Sequence, residues 1–288
     1  MEILTIVLAS LLSLASSGGV IVDSVAANRL RSQVLGIEEQ AIRIDNSPSY
    51  QVAGGKLQKV RIATRGVIIK PNLRVDALEL ETDLIDVDLD KLDLDNINKF
   101  RKSLNKPLRS AVRLVLTEAD LNQALQSPEI LAIIEKTLNR AIAGKAGSTN
   151  ISYQLQEIQL QLHPSNRLGV KFKLNRPSSV FETNDNHKAE TRELIMALEL
   201  GIETIDGQAI RILEPQGTVN GKPMSSRLLN GFAEGISDRL NFDSLEQDGI
   251  LARILQLEID EDKLELASFL QVETKTTQLS SKEIKVVP

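Results

Sequence analysis

The stretch from Lys56 to Asp95 constrains the fold of this 288-residue chain most strongly, because apolar and charged residues alternate along it. From residue 78 to residue 84, apolar side chains or threonine take the even positions and acidic side chains the odd ones. The phase then slips by one residue at Leu84–Ile85. Period-two alternation is typical of a half-buried antiparallel strand, and a one-residue slip requires a β-bulge that bends the strand. The sequence therefore predicts a long, bulged antiparallel sheet that curves around other parts of the chain.

The composition narrows the class of protein. Hydrophobic residues make up 42% of the chain, which excludes a disordered protein, and 288 residues are enough for a large core. Aromatic residues are only 3%, with no Trp, so the core must be aliphatic. Nucleic acid is not an expected partner, because the net charge is −5 and base stacking needs aromatic or arginine planes.

No residue pattern indicates catalysis or a cofactor. The chain has no Cys, and His163 and His187, its two histidines, lie far apart with no recognisable catalytic partner nearby. Nucleophile-elbow, zinc-protease, phosphate-loop and dinucleotide motifs are all absent from the sequence. We therefore expect a protein that is not an enzyme and that carries no cofactor.

An acidic row, Asp86, Asp88 and Asp90, raises the question of calcium. The spacing fails the EF-hand test, because Lys91 stands where the loop needs glycine and Ile97 where it needs a bidentate glutamate. Alternate positions on a strand line one face, so the sequence favours a solvated charged face over a metal site.

Residues 1–18 contain an apolar run from Ile3 to Ala15 whose length suits the hydrophobic region of a signal peptide. The charge that precedes the run is Glu2, whereas a secretory signal carries lysine or arginine there. A cleaved signal, a membrane anchor and a helix packed in the domain therefore remain open. We expect residues 19–272 to form a single domain and residues 273–288 a polar tail.

Helices and strands follow one another in blocks. Thr117 and Asp120 predict a capping box, and Ser127-Pro128 predicts a second helix start, whereas residues 96–108 suggest a polar connection. In the second half a phase change between Leu155 and Ile158 predicts another bulge. Because no helix alternates singly with a strand, the order predicts an α+β fold, with helices along the concave apolar side of a curved antiparallel sheet.

Several segments resemble the bacterial LmeA-type phospholipid-binding family, in the branch seen in photosynthetic bacteria. The resemblance extends from about Gly19 to Val272. It is carried by residues 19–23, 55–60, 75–89, 116–122, 219–222 and 231–238.

The resemblance implies a fold similar to the tubular lipid-binding modules related to bactericidal/permeability-increasing protein, in which a curved sheet wraps a long helix. It also implies an envelope-associated role in lipid metabolism, and it provides no catalytic residues.

The predicted function is non-enzymatic binding or carriage of phospholipid or glycolipid acyl chains in an aliphatic groove between sheet and helices. Membrane or envelope lipid homeostasis is the expected context. The alternative is a membrane-associated scaffolding protein with a filled core and no ligand. The expected partners are lipid and a membrane surface, with protein partners unknown. The expected location is a membrane or the cell envelope, on the periplasmic side if residues 1–18 are an export signal, and a cytoplasmic location stays open. The predicted lining residues are Leu80, Leu84, Val87, Ile130, Ile133, Ile134, Leu138, Leu198 and Leu200.

Overall fold

The structure of the protein is a computed structural model. It describes residues 28, 30–32, 34–93, 97–143, 153–176 and 192–275. The predicted signal or anchor at residues 1–18, His187 and the tail beyond residue 275 lie outside the described residues. The predicted α+β class with curved antiparallel sheets is confirmed.

The first sheet has six antiparallel strands in the order β1-β3-β4-β6-β13-β12. Its strands are β1 (Gly36–Asp45), β3 (Lys59–Lys70), β4 (Leu73–Thr82), β6 (Leu108–Thr117), β12 (Ile250–Ile259) and β13 (Lys263–Val272).

The second sheet has five antiparallel strands in the order β11-β10-β9-β8-β7. Its strands are β7 (Gln154–His163), β8 (Arg167–Arg176), β9 (Arg192–Ile205), β10 (Ala209–Val219) and β11 (Lys222–Pro223). The short strands β2 (Lys56–Leu57) and β5 (Ile85–Asp86) form a separate ribbon.

Besides the helical residues 28 and 30–32, the structure describes five α-helices. They are α1 (Ile97–Ser103), α2 (Glu118–Leu125), α3 (Pro128–Ala143), α4 (Ser226–Ser237) and α5 (Asp243–Gln247). Both predicted starts are confirmed, because Thr117 and Asp120 form a reciprocal capping box and Ser127 Oγ accepts a hydrogen bond from the Ile130 amide at 3.3 Å.

The C-terminal strands complete the first sheet. The C-terminal hairpin β12–β13 returns to pair with β6, with Lys263 opposite Thr117 and Val272 opposite Leu108. The chain keeps tertiary contacts beyond the end of β13, because Arg101 Nε donates to the Glu273 carbonyl and Thr274 is buried. Strands from opposite ends of the sequence therefore share one hydrogen-bonded sheet.

Each large sheet covers its own apolar core. One core, here the first core, lies on the six-stranded sheet and includes Val60, Ile62, Leu80 and Phe100 among its buried residues. A second core lies between the five-stranded sheet and helices α3 and α4. Alternation along each strand places apolar side chains on these inner faces and charged side chains on the open faces.

The predicted bulge at Leu84–Ile85 is wrong. Strand β4 ends at Thr82, and the chain then leaves the six-stranded sheet, so that Ile85 and Asp86 pair with β2 instead. Asp86 is consequently not on a solvated strand face: it is buried and accepts a hydrogen bond from Asn105 Nδ2 at 3.0 Å. Alternation reports which side chains are buried but not which strand they pair with, so it could not detect the change of partner.

The second predicted bulge is confirmed, as the β7–β8 register shifts between Leu155 and Glu157. The polar connection predicted for residues 96–108 is wrong, because helix α1 occupies much of it. The position of Arg101 explains why the sequence did not indicate this helix. Its guanidinium is buried and donates to the carbonyls of Asp248 and Glu273, so a charged residue takes a core position.

Side chains of α2 and α3 cover the edge strand β7. Two residues four apart on a helix are separated by about 6 Å along the axis, close to the roughly 6.6 Å between alternate residues of a strand. Helix side chains spaced four residues apart can therefore reach alternate residues of the strand. Their hydrogen bonds satisfy backbone groups of β7 that an open edge would expose. The pairs are Glu118 with Leu162, Asn122 with Leu160, Gln126 with Ile158, Glu135 with Leu155, and Asn139 with Tyr153.

Candidate functional site

The second core forms an aliphatic layer between the five-stranded sheet and helices α3 and α4. Strand register aligns Leu160, Val170 and Leu198 in one row across β7, β8 and β9. Gly217 continues the row on β10, and a Cβ atom there would lie only 2.6 Å from Leu198 Cδ2. The missing side chain at Gly217 therefore leaves the space that Leu198 fills.

Much of this layer is only partly shielded from water. Eleven of its described residues are buried, whereas thirteen apolar residues packed against them are half-buried. The first core has twelve buried residues and seven half-buried ones, so it is the better covered of the two. The half-buried positions of the layer include Leu168, Val170 and Leu194 on the sheet and Leu131 and Leu228 on the helices.

The predicted lining residues divide between the two cores. Four of them meet in the aliphatic layer, whereas two lie in the first core and are separated from the others. The four in the layer are Ile134, Leu138, Leu198 and Leu200, and the two in the first core are Leu80 and Val87.

Three predicted positions belong to neither core. Leu84 and Ile130 are half-buried, and Ile133 has 59% of its surface exposed on the outer side of α3. The lining positions predicted on α3 are therefore displaced around the helix, because Leu131 packs in the layer whereas Ile130 and Ile133 do not.

A groove on the open face of the six-stranded sheet was not found from the sequence. Ile42, Ile62, Leu80 and Val112 form one row across four strands, and Ile62 and Leu80 bury their side chains in the first core. On the opposite face the backbone of this row is the floor of a cavity of about 410 Å³. The flanking rows contribute the alanines Ala41, Ala63, Ala111 and Ala267.

Charged side chains line the groove and form ion pairs with one another and with Asp45 and Lys59 beside it. Arg61 donates from Nε to Glu81 at 2.9 Å and from Nη1 to Asp45 at 2.5 Å. Asp45 also accepts from Arg43 Nε at 2.8 Å, and Glu81 from Lys59 Nζ at 2.6 Å. We call these five residues the ion-pair ladder. Cross-strand carboxylates therefore balance the positive charges on this face.

Arg113 has a similar arrangement on the other side of the groove. Its Nε and Nη2 donate to both carboxylate oxygens of Glu265, at 2.6 and 3.0 Å, and its Nη1 donates to Glu79 at 3.1 Å. From the sequence, Arg29, Arg31 and Arg113 are the candidate headgroup ligands. Arg113 lines the groove, Arg31 is exposed elsewhere, and Arg29 lies outside the described residues.

Paired cations lower the pKa of three carboxylates in and beside the groove, Asp45, Glu81 and Glu265. The hydrogen bond from Arg43 holds the pKa of Asp45 below its usual value. Lys59, with a smaller contribution from Arg61, does the same for the pKa of Glu81. Arg113 lowers the pKa of Glu265. All three carboxylates therefore remain charged in the folded protein at pH values that would protonate them in an unfolded chain.

We expect this charge pattern to make stability fall in acid. A carboxyl whose folded-state pKa is lowered stabilises the fold above its unfolded pKa, and the contribution is lost as pH falls through the folded pKa. The free energy of unfolding, measured by urea titration, should therefore decrease from about pH 5 to about pH 3. The change should be modest and weaker in high salt, because the pairs are exposed. Substituting Glu81→Gln should flatten the profile, and an unaltered slope in that variant would contradict the assignment.

Two kinds of site are absent from the described part of the chain. None of the described helices is both long and apolar enough to cross a bilayer. Within the same described residues, no three His, Cys, Asp or Glu side chains come together as a potential metal site.

The fold is thus an α+β scaffold with a partly open aliphatic layer. A family model described as LmeA-like phospholipid-binding matches residues 16–269. The match covers most of the chain, which therefore belongs to the LmeA-like phospholipid-binding family. No curated protein and no solved structure matches the chain, so the likeness to tubular lipid-binding modules stays a prediction.

Proposed function

We propose that this protein binds the acyl chains of a phospholipid or glycolipid in the aliphatic layer, without catalysing a reaction. The observation that carries the proposal is the half-buried apolar surface between the five-stranded sheet and helices α3 and α4. Membership of a phospholipid-binding family supports it independently.

The physical driving force is the removal of acyl methylene groups from water. Each buried methylene contributes about 0.8 kcal/mol. The half-buried leucine and valine side chains of the layer are already partly desolvated, so a lipid chain would complete their cover. A flexible aliphatic lining can adapt to lipid chains of different shape.

A role at a membrane or in the cell envelope follows from the same chemistry, because a lipid carrier must take up its ligand from a bilayer. We therefore assign the protein to membrane or envelope lipid homeostasis, with a membrane surface as its partner.

A bulky substitution in the layer should exclude lipid. Val170 lies half-buried in the layer, whereas its neighbour Lys171 is exposed on the opposite face of β8. We expect lipid extracted from the purified full chain and measured by mass spectrometry to approach one molecule per protein. Val170→Trp should reduce that ratio several-fold, whereas the matched control Lys171→Trp should leave it unchanged.

Circular dichroism and thermal unfolding of both variants separate lost binding from lost folding. A well-folded wild-type protein that carries no lipid would contradict the proposal and favour the scaffolding alternative. Equal lipid content in the two folded variants would show that the ligand lies elsewhere.

A further inference from the structure

We propose that the groove on the six-stranded sheet binds a phospholipid with a zwitterionic headgroup. This inference rests on the proposed function, and it adds both a second location and a headgroup class. It is carried by the shape of the groove, by the alanines along its walls and by the alternating charges at its rim.

Small side chains create the groove. On β1, β3 and β6, an alanine lies two residues from an arginine on the same face, as in Ala41 with Arg43 and Ala63 with Arg61. Alanine is depleted in strands, where β-branched residues pack better on a pleated surface. Three of the groove alanines, Ala41, Ala63 and Ala111, are exposed, so their methyl groups leave open space between the longer side chains.

The dimensions suit an extended chain. The groove crosses five strands, from β1 to β13, which corresponds to about 19 Å at a strand spacing of about 4.8 Å. Alanines and arginines line its walls, and arginine side chains lay their aliphatic stems along such a surface with the charged group toward water. Leu255, the extra residue of a β12 bulge, lies at one end with 66% of its surface exposed.

The rim matches a ligand that carries both signs of charge. Arg43 and Arg61 lie on β1 and β3, and Glu79 and Glu81 lie on the adjacent strand β4. A phosphate beside the arginines and an ammonium beside the glutamates would each lie next to a group of opposite charge. The arginine and glutamate positions are one or two strand spacings apart, about 5–10 Å. The rim charges already pair within the protein, four cations with four carboxylates, so a headgroup of one sign gains no net attraction. A zwitterion can align its two charges with the alternating pairs, so the groove should prefer a headgroup of the phosphoethanolamine or phosphocholine type.

The headgroup preference can be measured with soluble lipids. We expect the full chain to bind dihexanoyl phosphatidylethanolamine at least threefold more tightly than dihexanoyl phosphatidylglycerol in isothermal titration. Replacing both carboxylates, Glu79→Gln with Glu81→Gln, should remove or reverse that preference. Equal affinities in the wild-type protein would overturn the proposal.

The location can be tested by filling the groove. Ala63→Leu adds volume at an exposed position and should weaken phosphatidylethanolamine binding about tenfold. The control Ala197→Leu, on the open face of the five-stranded sheet, should not change binding, and thermal unfolding checks both folds. Unchanged affinity in Ala63→Leu with loss in Val170→Trp would overturn the groove and keep the aliphatic layer. The reverse pattern would support the groove and contradict the layer, and no binding by the wild type would contradict both.

Discussion

Replacing Gly55 by alanine is expected to destabilise the protein by about 3 kcal/mol or more. Gly55 follows the 3₁₀ helix at Ser49–Gly54 with φ 77°, in the left-handed region. A Cβ atom there would lie 2.1 Å from the carbonyl oxygen of Val87. Two costs add, since a non-glycine residue pays about 1–2 kcal/mol for that conformation and the clash involves backbone rather than a mobile side chain.

The relief of the Gly55 clash would have to move a buried segment. The Val87 amide donates to the Gly55 carbonyl at 3.0 Å, and the Val87 side chain is 1% exposed in the first core. A shift at Gly55 would therefore disturb both a backbone hydrogen bond and core packing.

Gly54→Ala is the matched control. Gly54 is the preceding residue and is exposed, and a Cβ atom added there would have no heavy atom within 4 Å beyond its chain neighbours. We expect a change within about 0.5 kcal/mol of zero. Urea or thermal unfolding of the two variants measures the contrast, and equal stabilities would show that the close approach of Val87 to Gly55 is absent in solution.

Replacing Asn122 by alanine is expected to cost about 2–4 kcal/mol, because two backbone groups of an edge strand lose their partner. Asn122 Oδ1 accepts from the Leu160 amide, and Nδ2 donates to the Leu160 carbonyl, both at 2.8 Å. The same Nδ2 also donates to the Glu118 carbonyl at 3.0 Å. Removal of the Asn122 side-chain carboxamide should expose the edge of β7 to water and to pairing with other chains.

Hydrogen exchange gives a residue-level test of this role. The Leu160 amide should exchange much faster in Asn122→Ala than in the wild-type protein, while amides at the centre of the first sheet keep their protection. Gln123→Ala is the control, because Gln123 is exposed and makes only a 3.5 Å contact to the Pro71 carbonyl. Unchanged protection at Leu160 would show that water or another group covers the edge instead.

Local features were predictable from the sequence wherever the interacting groups lie within a few residues of one another. The capping box of Thr117 and Asp120 joins atoms three residues apart, so its spacing is visible in the sequence. Turns are equally local, and Gly207 closes the β9–β10 hairpin with φ 65°. The period-two strands follow from the same kind of short-range pattern.

The location of the predicted site was harder to derive from the sequence, because periodicity indicates which residues are buried but not in which core they lie. Leu80 and Leu198 both occupy inward positions of alternating strands, yet one lies in the first core and the other in the aliphatic layer. Ile133 follows the helical spacing and is nevertheless exposed, since the position of the sheet decides which side of α3 is covered. Leu131 could have been identified only once that position was known.

The sequence by itself determined that this chain forms an aliphatic α+β protein with one charged face on each strand, because these properties depend on composition and near neighbours. The tertiary structure alone decided where a ligand could bind. Ala41, Ala63 and Ala111 are widely separated along the chain, and only strand pairing brings them into one groove. The same pairing sets Arg61 beside Glu81, so long-range register converts an alternating pattern into a surface with both signs of charge.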